Sequence, residues 1–276
     1  MAARLKPRST SASIPAPVAA GGATASRLDF VGDLDAAVGL VAVPADTART
    51  MLPSGLRLAS PSVAPADRHP LLLMLGHQRN VRLASFSGGI DYLEFILAVP
   101  FVEHERPERH PRGPFGWLPC LYLDRRLPIV AGRVLLAYHK RRAAISATEE
   151  SYRVACARTG APLLSARFKA TGASSNGCPP PSAEILRLPV ISRRTYAWRY
   201  SIADLALDRA EIEPIGIELT IERAFVPGLP TGSFALESER GQAIRLRTGW
   251  RLTGPCARRT PPRPSEAGQP HAEEVT

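Results

Sequence analysis

Of the 35 basic residues in this chain only three are lysines: Lys6, Lys140 and Lys169. Arginine stands wherever a generic positive charge suffices, and of the two only lysine readily gives up its proton to act as a nucleophile. Lys6 lies in an Ala-, Ser- and Pro-rich leader. Lys169 closes the alternating run Ser165-Ala166-Arg167-Phe168-Lys169 and reads as a solvated strand position. Lys140 ends an apolar stretch that starts at Pro128, and it sits among His139, Arg141 and Arg142. Between apolar surroundings and adjacent cations an ammonium is disfavoured twice, by desolvation and by repulsion. An uncharged amine at that place could attack a ketone. The same residues would also make a solvated basic turn.

A second group with chemical potential is Glu94, in the run from Ile90 to Val99. Read as a strand, one face carries Tyr92, Glu94, Ile96 and Ala98, and the other Leu93, Phe95, Leu97 and Val99. Two apolar faces predict a strand between two layers. A carboxylate in such a row must meet a cation or line a wet pocket. Pairing with one of the many arginines, or a place at a strand end, would satisfy it equally.

These residues need a scaffold. The 276 residues (29.7 kDa) fit one large domain or two small ones, and 45% apolar against 22% charged residues excludes global disorder. Proline (27) outnumbers glycine (21), which argues against a long-helix bundle. Short β-favouring runs recur, among them 37–43, 71–75, 92–102, 117–123, 152–157, 163–168, 185–191, 215–221 and 243–252. Residues 46–52 suit a short helix, and 128–145 are ambiguous. The expectation is a β-rich (α+β) domain over 29–253, with a disordered leader (1–28) and a disordered tail (254–276).

Other chemistries find no support. Walker, Gly-x-Gly-x-x-Gly and Gly-x-Ser-x-Gly patterns are absent. His104 and His110 are six residues apart around Pro107, a spacing that puts no two imidazoles on one helical face. Cys120, Cys156, Cys178 and Cys256 form no C-x-x-C pair, so reduced thiols in the cytoplasm are expected. The formal charge of +10 comes partly from the leader, and the remaining arginines are scattered without aromatic platforms. Neither nucleic acid nor membrane is an expected partner, and no metal is expected.

The segments around Lys140 resemble the acetoacetate decarboxylase family. Tyr122-Leu123-Asp124, Gly132-Arg133, Ala137-Tyr138 and Lys140 follow the pattern in which Tyr-Leu-Asp precedes Gly-Arg-Glu and Tyr-Pro-Lys-Lys supplies a Schiff-base lysine. Tyr92-x-Glu94 is similar to the segment carrying an active-site glutamate. Val134, His139 and Arg141 depart from the pattern, no arginine stands near Asp33–Asp35, and no acid lies in Leu71–Leu75. The resemblance implies a cone or barrel of packed, largely antiparallel sheets with few short helices, and a homo-oligomer. It implies a carboxy-lyase that needs no cofactor and acts on acetoacetate or a related 3-oxo acid. Lys140 and Glu94 would then be catalytic, with Arg141 as the repelling cation and Tyr92, Tyr138 and Arg133 around the pocket. A catalytically silent member that binds a small organic acid is the second expectation.

Overall fold

The computed structural model describes residues 28–61, 65, 67–171, 180–195, 197–237 and 241–256. The expected leader, apart from Leu28, and the expected tail beyond Cys256 lie outside them. In chain order the elements begin with β1 (Asp29–Pro44), α1 (Ala45–Arg49), β2 (Leu56–Leu58), β3 (Arg68–Leu83) and β4 (Ile90–His104). There follow β5 (Phe115–Leu123), α2 (Arg126–Leu136), β6 (Lys140–Ala147), β7 (Ser151–Cys156) and β8 (Pro162–Ala170). The last are α3 (Pro180–Leu186), β9 (Val190–Arg194), β10 (Ala197–Leu205), β11 (Glu211–Ile221), β12 (Gly232–Leu236) and β13 (Ala243–Cys256). Strand β13 thus runs past the domain end expected at 253.

The strands form one 13-stranded sheet that closes on itself twice. One ring follows β5-β9-β10-β13-β1-β3-β4 and returns to β5; the other leaves β13 through β11, β8, β7 and β6 to β5. Only β5–β6 and β5–β9 pair in parallel among the described strands. The strands common to both rings feed two interiors by alternation. From β4, Phe95, Leu97 and Val99 are fully buried in one core, while Tyr92, Ile96 and Ala98 face the other side. That is why both faces of this strand are apolar in sequence. The β-rich barrel expectation therefore holds. No helix among the described residues is long and apolar enough to cross a membrane.

Two segments differ from the sequence reading. The ambiguous stretch 128–145 splits: α2 buries Ile129, Gly132 and Leu136 at helical spacing while Leu127, Val130 and Val134 face outward, and β6 begins at Lys140. The run 185–191, expected as a strand, opens as the end of α3 and becomes β9 only at Val190. Pro180 and Pro181 occupy the first helical turn, where their missing N–H groups cost nothing.

His104 and His110 do meet, but as a stack with ring centroids 4.0 Å apart rather than as convergent ligands. The Nε2 of buried His104 lies 2.8 Å from the Tyr200 hydroxyl. Burial, reinforced by nearby His110, lowers the His104 imidazole from 6.5 to about 4. Between those values the unfolded chain binds a proton that the folded chain refuses. This contribution to stability is complete above about pH 6.5, shrinks as pH falls toward 4, and levels off below. Urea midpoints measured from pH 7 to 4.5 should therefore drop less steeply in His104→Phe than in the parent.

Candidate active site

Three strand pairings and one helix end bring the site together. Register sets Gln78 against Tyr92 and Gly76 against Glu94 between β3 and β4. The Asp124 carboxylate accepts a 3.0 Å bond from the Leu93 N–H, and its own N–H donates to the Leu93 carbonyl at 3.3 Å. The end of the Tyr-Leu-Asp segment thereby pins β5 to β4 one residue from Glu94. Parallel pairing sets Lys140 beside Leu121.

Helix α2 stops at Ala137, which takes the left-handed conformation (φ 58°) and turns the chain back along the helix. The last carbonyls are satisfied from outside: Ser192 Oγ donates to Leu136 at 2.8 Å, and the Arg194 guanidinium donates to Val134 at 3.3 Å. Arg133 Nε donates to the Lys140 carbonyl at 2.7 Å. The lysine stem then crosses Gly132 so closely that a Cβ there would lie 2.5 Å from Cδ and 2.6 Å from Cε.

The amine reaches Glu94, with Nζ 3.2 Å from Oε1 and both residues buried (7% and 4% exposed). It also stands 5.9 Å from the centre of the Tyr92 ring. The other carboxylate oxygen accepts a 3.2 Å bond from Gln78 Nε2. Two buried polar atoms here have no hydrogen-bond partner, Glu94 Oε1, whose ion pair lacks hydrogen-bond geometry, and Gln78 Oε1; Trp250 Nε1, from the wall of the same cavity, is a third. Such atoms mark where a ligand's polar groups can be received.

These side chains stand at the edge of a cavity of about 160 Å³ whose remaining walls are almost wholly apolar. Tyr92 and Tyr138 line it as well. Burial, with the Glu94 charge adding to it, raises both phenols well above their usual range, so both stay protonated as potential donors. No arginine is among the described residues that line it. Asp33 and Asp35 border a separate, larger groove of about 900 Å³, where Asp35 pairs with Arg79, Arg245 and Arg247.

Of the residues singled out by sequence, Lys140, Glu94, Tyr92 and Tyr138 converge. Arg141 and Arg133 do not line the cavity. Consecutive strand residues point to opposite faces, so Arg141 lies beside Tyr122 and Cys120 in place of the amine, and it is exposed. The charged group that meets the Lys140 amine is a carboxylate, not the expected cation. Arg133 is exposed and acts on the lysine backbone. Sequence reasoning missed Gln78. Its signal was the period-2 row Leu72, Met74, Gly76, Gln78, which continues the apolar run on β3 onto the cavity face.

No curated protein matches this chain. Among solved structures, an acetoacetate decarboxylase from Legionella pneumophila is 15% identical, with a TM-score of 0.56 over 89% of this chain and 93% of that one. An acetoacetate decarboxylase-like enzyme from Sphingomonas wittichii is 13% identical, with a TM-score of 0.54 over 84% and 92%. The enduracididine biosynthesis enzyme MppR, solved in complex with pyruvate, is 13% identical, with a TM-score of 0.52 over 82% and 88%. At such identities the likeness is one of fold. The family model for acetoacetate decarboxylase matches residues 14–191, a span that contains β1 to α3 and, of the described polar side chains that line the cavity, all but Trp250. The chain therefore belongs to the acetoacetate decarboxylase family.

Proposed function

We propose that the protein is a Schiff-base-forming lyase that decarboxylates a 3-oxo acid through an iminium on Lys140. The supporting observation is a buried amine 3.2 Å from a buried carboxylate, at the polar edge of an apolar cavity. Glu94 takes the ammonium proton, and the freed nitrogen adds to the ketone carbon. The nitrogen passes one proton to the ketone oxygen and Glu94 gives back the other, so that oxygen departs as water and the nitrogen is left as a cationic iminium. When the bond to the carboxylate carbon breaks, CO2 departs and the electron pair moves through the new C=C bond to neutralise that nitrogen. Glu94, reprotonated from solvent, gives a proton to the enamine carbon, and water hydrolyses the resulting iminium to a ketone and free Lys140. Aldolase and dehydratase reactions share the same iminium. The pyruvate held by MppR, a small oxo acid in a related fold, supports this class of ligand.

Incubation with acetoacetate and borohydride, followed by intact mass and peptide mapping, tests the reading. An adduct on Lys140 accompanied by CO2 release is expected. The absence of any adduct with every oxo acid tried would favour the silent binder, to which the missing arginine and the amide of Gln78 also point. Glu94→Gln separates binding from proton transfer. Turnover should fall by about 10²–10⁴ while a trapped adduct still forms. Unchanged turnover would remove Glu94 from the proton path.

A further inference from the structure

We infer that the acid handled at Lys140 carries on its ketone carbon an apolar alkyl or aryl substituent larger than the methyl of acetoacetate. This rests on the iminium reading above and adds a substrate class to it. Polarity along the cavity floor runs in one direction. On β4 the inward residues are Tyr92 and Glu94, then Ile96, Ala98 and Pro100; on β3 they are Gln78, then Met74 and Leu72. Register joins Ile96 to Met74 and Ala98 to Leu72, so both strands turn apolar together. At about 3.3 Å per residue, the floor extends roughly 13 Å from Glu94 to Ala98.

The roof over the far end is Ile185 and Leu186 of α3, both buried. Among the described residues, Lys140 and Glu94 are the only charged ones lining the cavity. A second acidic or hydroxylated arm on the substrate would meet no partner there and would be costly to bury. The cavity, about 160 Å³ in all, takes the keto-acid head at its Lys140 end and leaves the apolar end to the substituent. A methyl group leaves that apolar end unfilled, whereas a longer alkyl chain or a phenyl ring reaches into it. Each methylene moved from water into such a site tightens binding about fourfold.

The test is borohydride trapping with acetoacetate, 3-oxohexanoate, 3-oxononanoate and benzoylacetate, reading the half-saturating concentration for the Lys140 adduct. We expect 3-oxohexanoate to half-saturate at a concentration roughly fifteenfold below that of acetoacetate, and 3-oxononanoate and benzoylacetate to be tighter still. Ala98→Phe, which fills the far end, should flatten the series while leaving the acetoacetate adduct in place. If that variant does not fold, the series on the parent protein decides alone. Acetoacetate saturating at an equal or lower concentration than 3-oxohexanoate would overturn the inference and leave the iminium reading intact. The absence of an adduct with all four acids would overturn both.

Discussion

Lys140→Arg should yield no trapped adduct with any 3-oxo acid and should release CO2 no faster than buffer, in a protein that still folds. Arginine keeps a cation in front of Glu94, so the buried carboxylate retains a partner. A guanidinium stays protonated at any working pH, so it supplies no nucleophile. The substitution thus removes chemistry and spares the ion pair. Lys140→Met does the reverse of sparing it. Glu94, 4% exposed, would face an apolar cavity without a counter-charge, and breaking a buried pair in this way costs about 3–5 kcal/mol. Intact-mass trapping beside thermal melts distinguishes the two variants: both lose the adduct, and only the methionine form loses much stability. An adduct that survives in Lys140→Arg would move the nucleophile elsewhere. The other described lysine, Lys169, is exposed and already paired with Glu218.

Gly132→Ala should slow iminium trapping about a hundredfold with little loss of stability. In most helices alanine is the better residue by about 1 kcal/mol, so α2 itself has no reason to suffer. The damage falls on the lysine, because the new methyl would lie 2.5 Å from Cδ and 2.6 Å from Cε. Ordinary contact needs roughly 1 Å more, and the stem must swing away from α2 to gain it. A reacting group misplaced by about 1 Å loses on the order of 10²-fold in rate. Trapping rates at saturating acid, beside a melting curve, measure this directly. Parent-like trapping would mean that the stem has a second route to Glu94.

Much of this arrangement was legible before any coordinates. The doubly apolar run of β4 placed Glu94 between two layers, and the scarcity of lysine drew attention to Lys140. What the chain does between α2 and β6 was not legible. The helix ends on Ala137 in a left-handed conformation usually marked by glycine, so nothing local announced the turn. With that boundary unseen, the direction of Arg141 was unknowable, and adjacency in sequence suggested a contact that strand alternation forbids. Gln78 carries no charge to attract notice, and only register brings it to Glu94. The run 185–191 misled because Ile and Leu suit strands and buried helix faces alike.

The pairing of β1 with β13 has a consequence for how the protein comes into being. Asp29 to Gly39 pair with residues 243–253, so β1 completes its pairing only after β13 has been made. Leu34 on the one, with Trp250 and Leu252 on the other, form a wall of the cavity beside Lys140. A nascent chain therefore contains Lys140 well before it can enclose a guest, and its unpaired β1 edge needs shelter throughout translation.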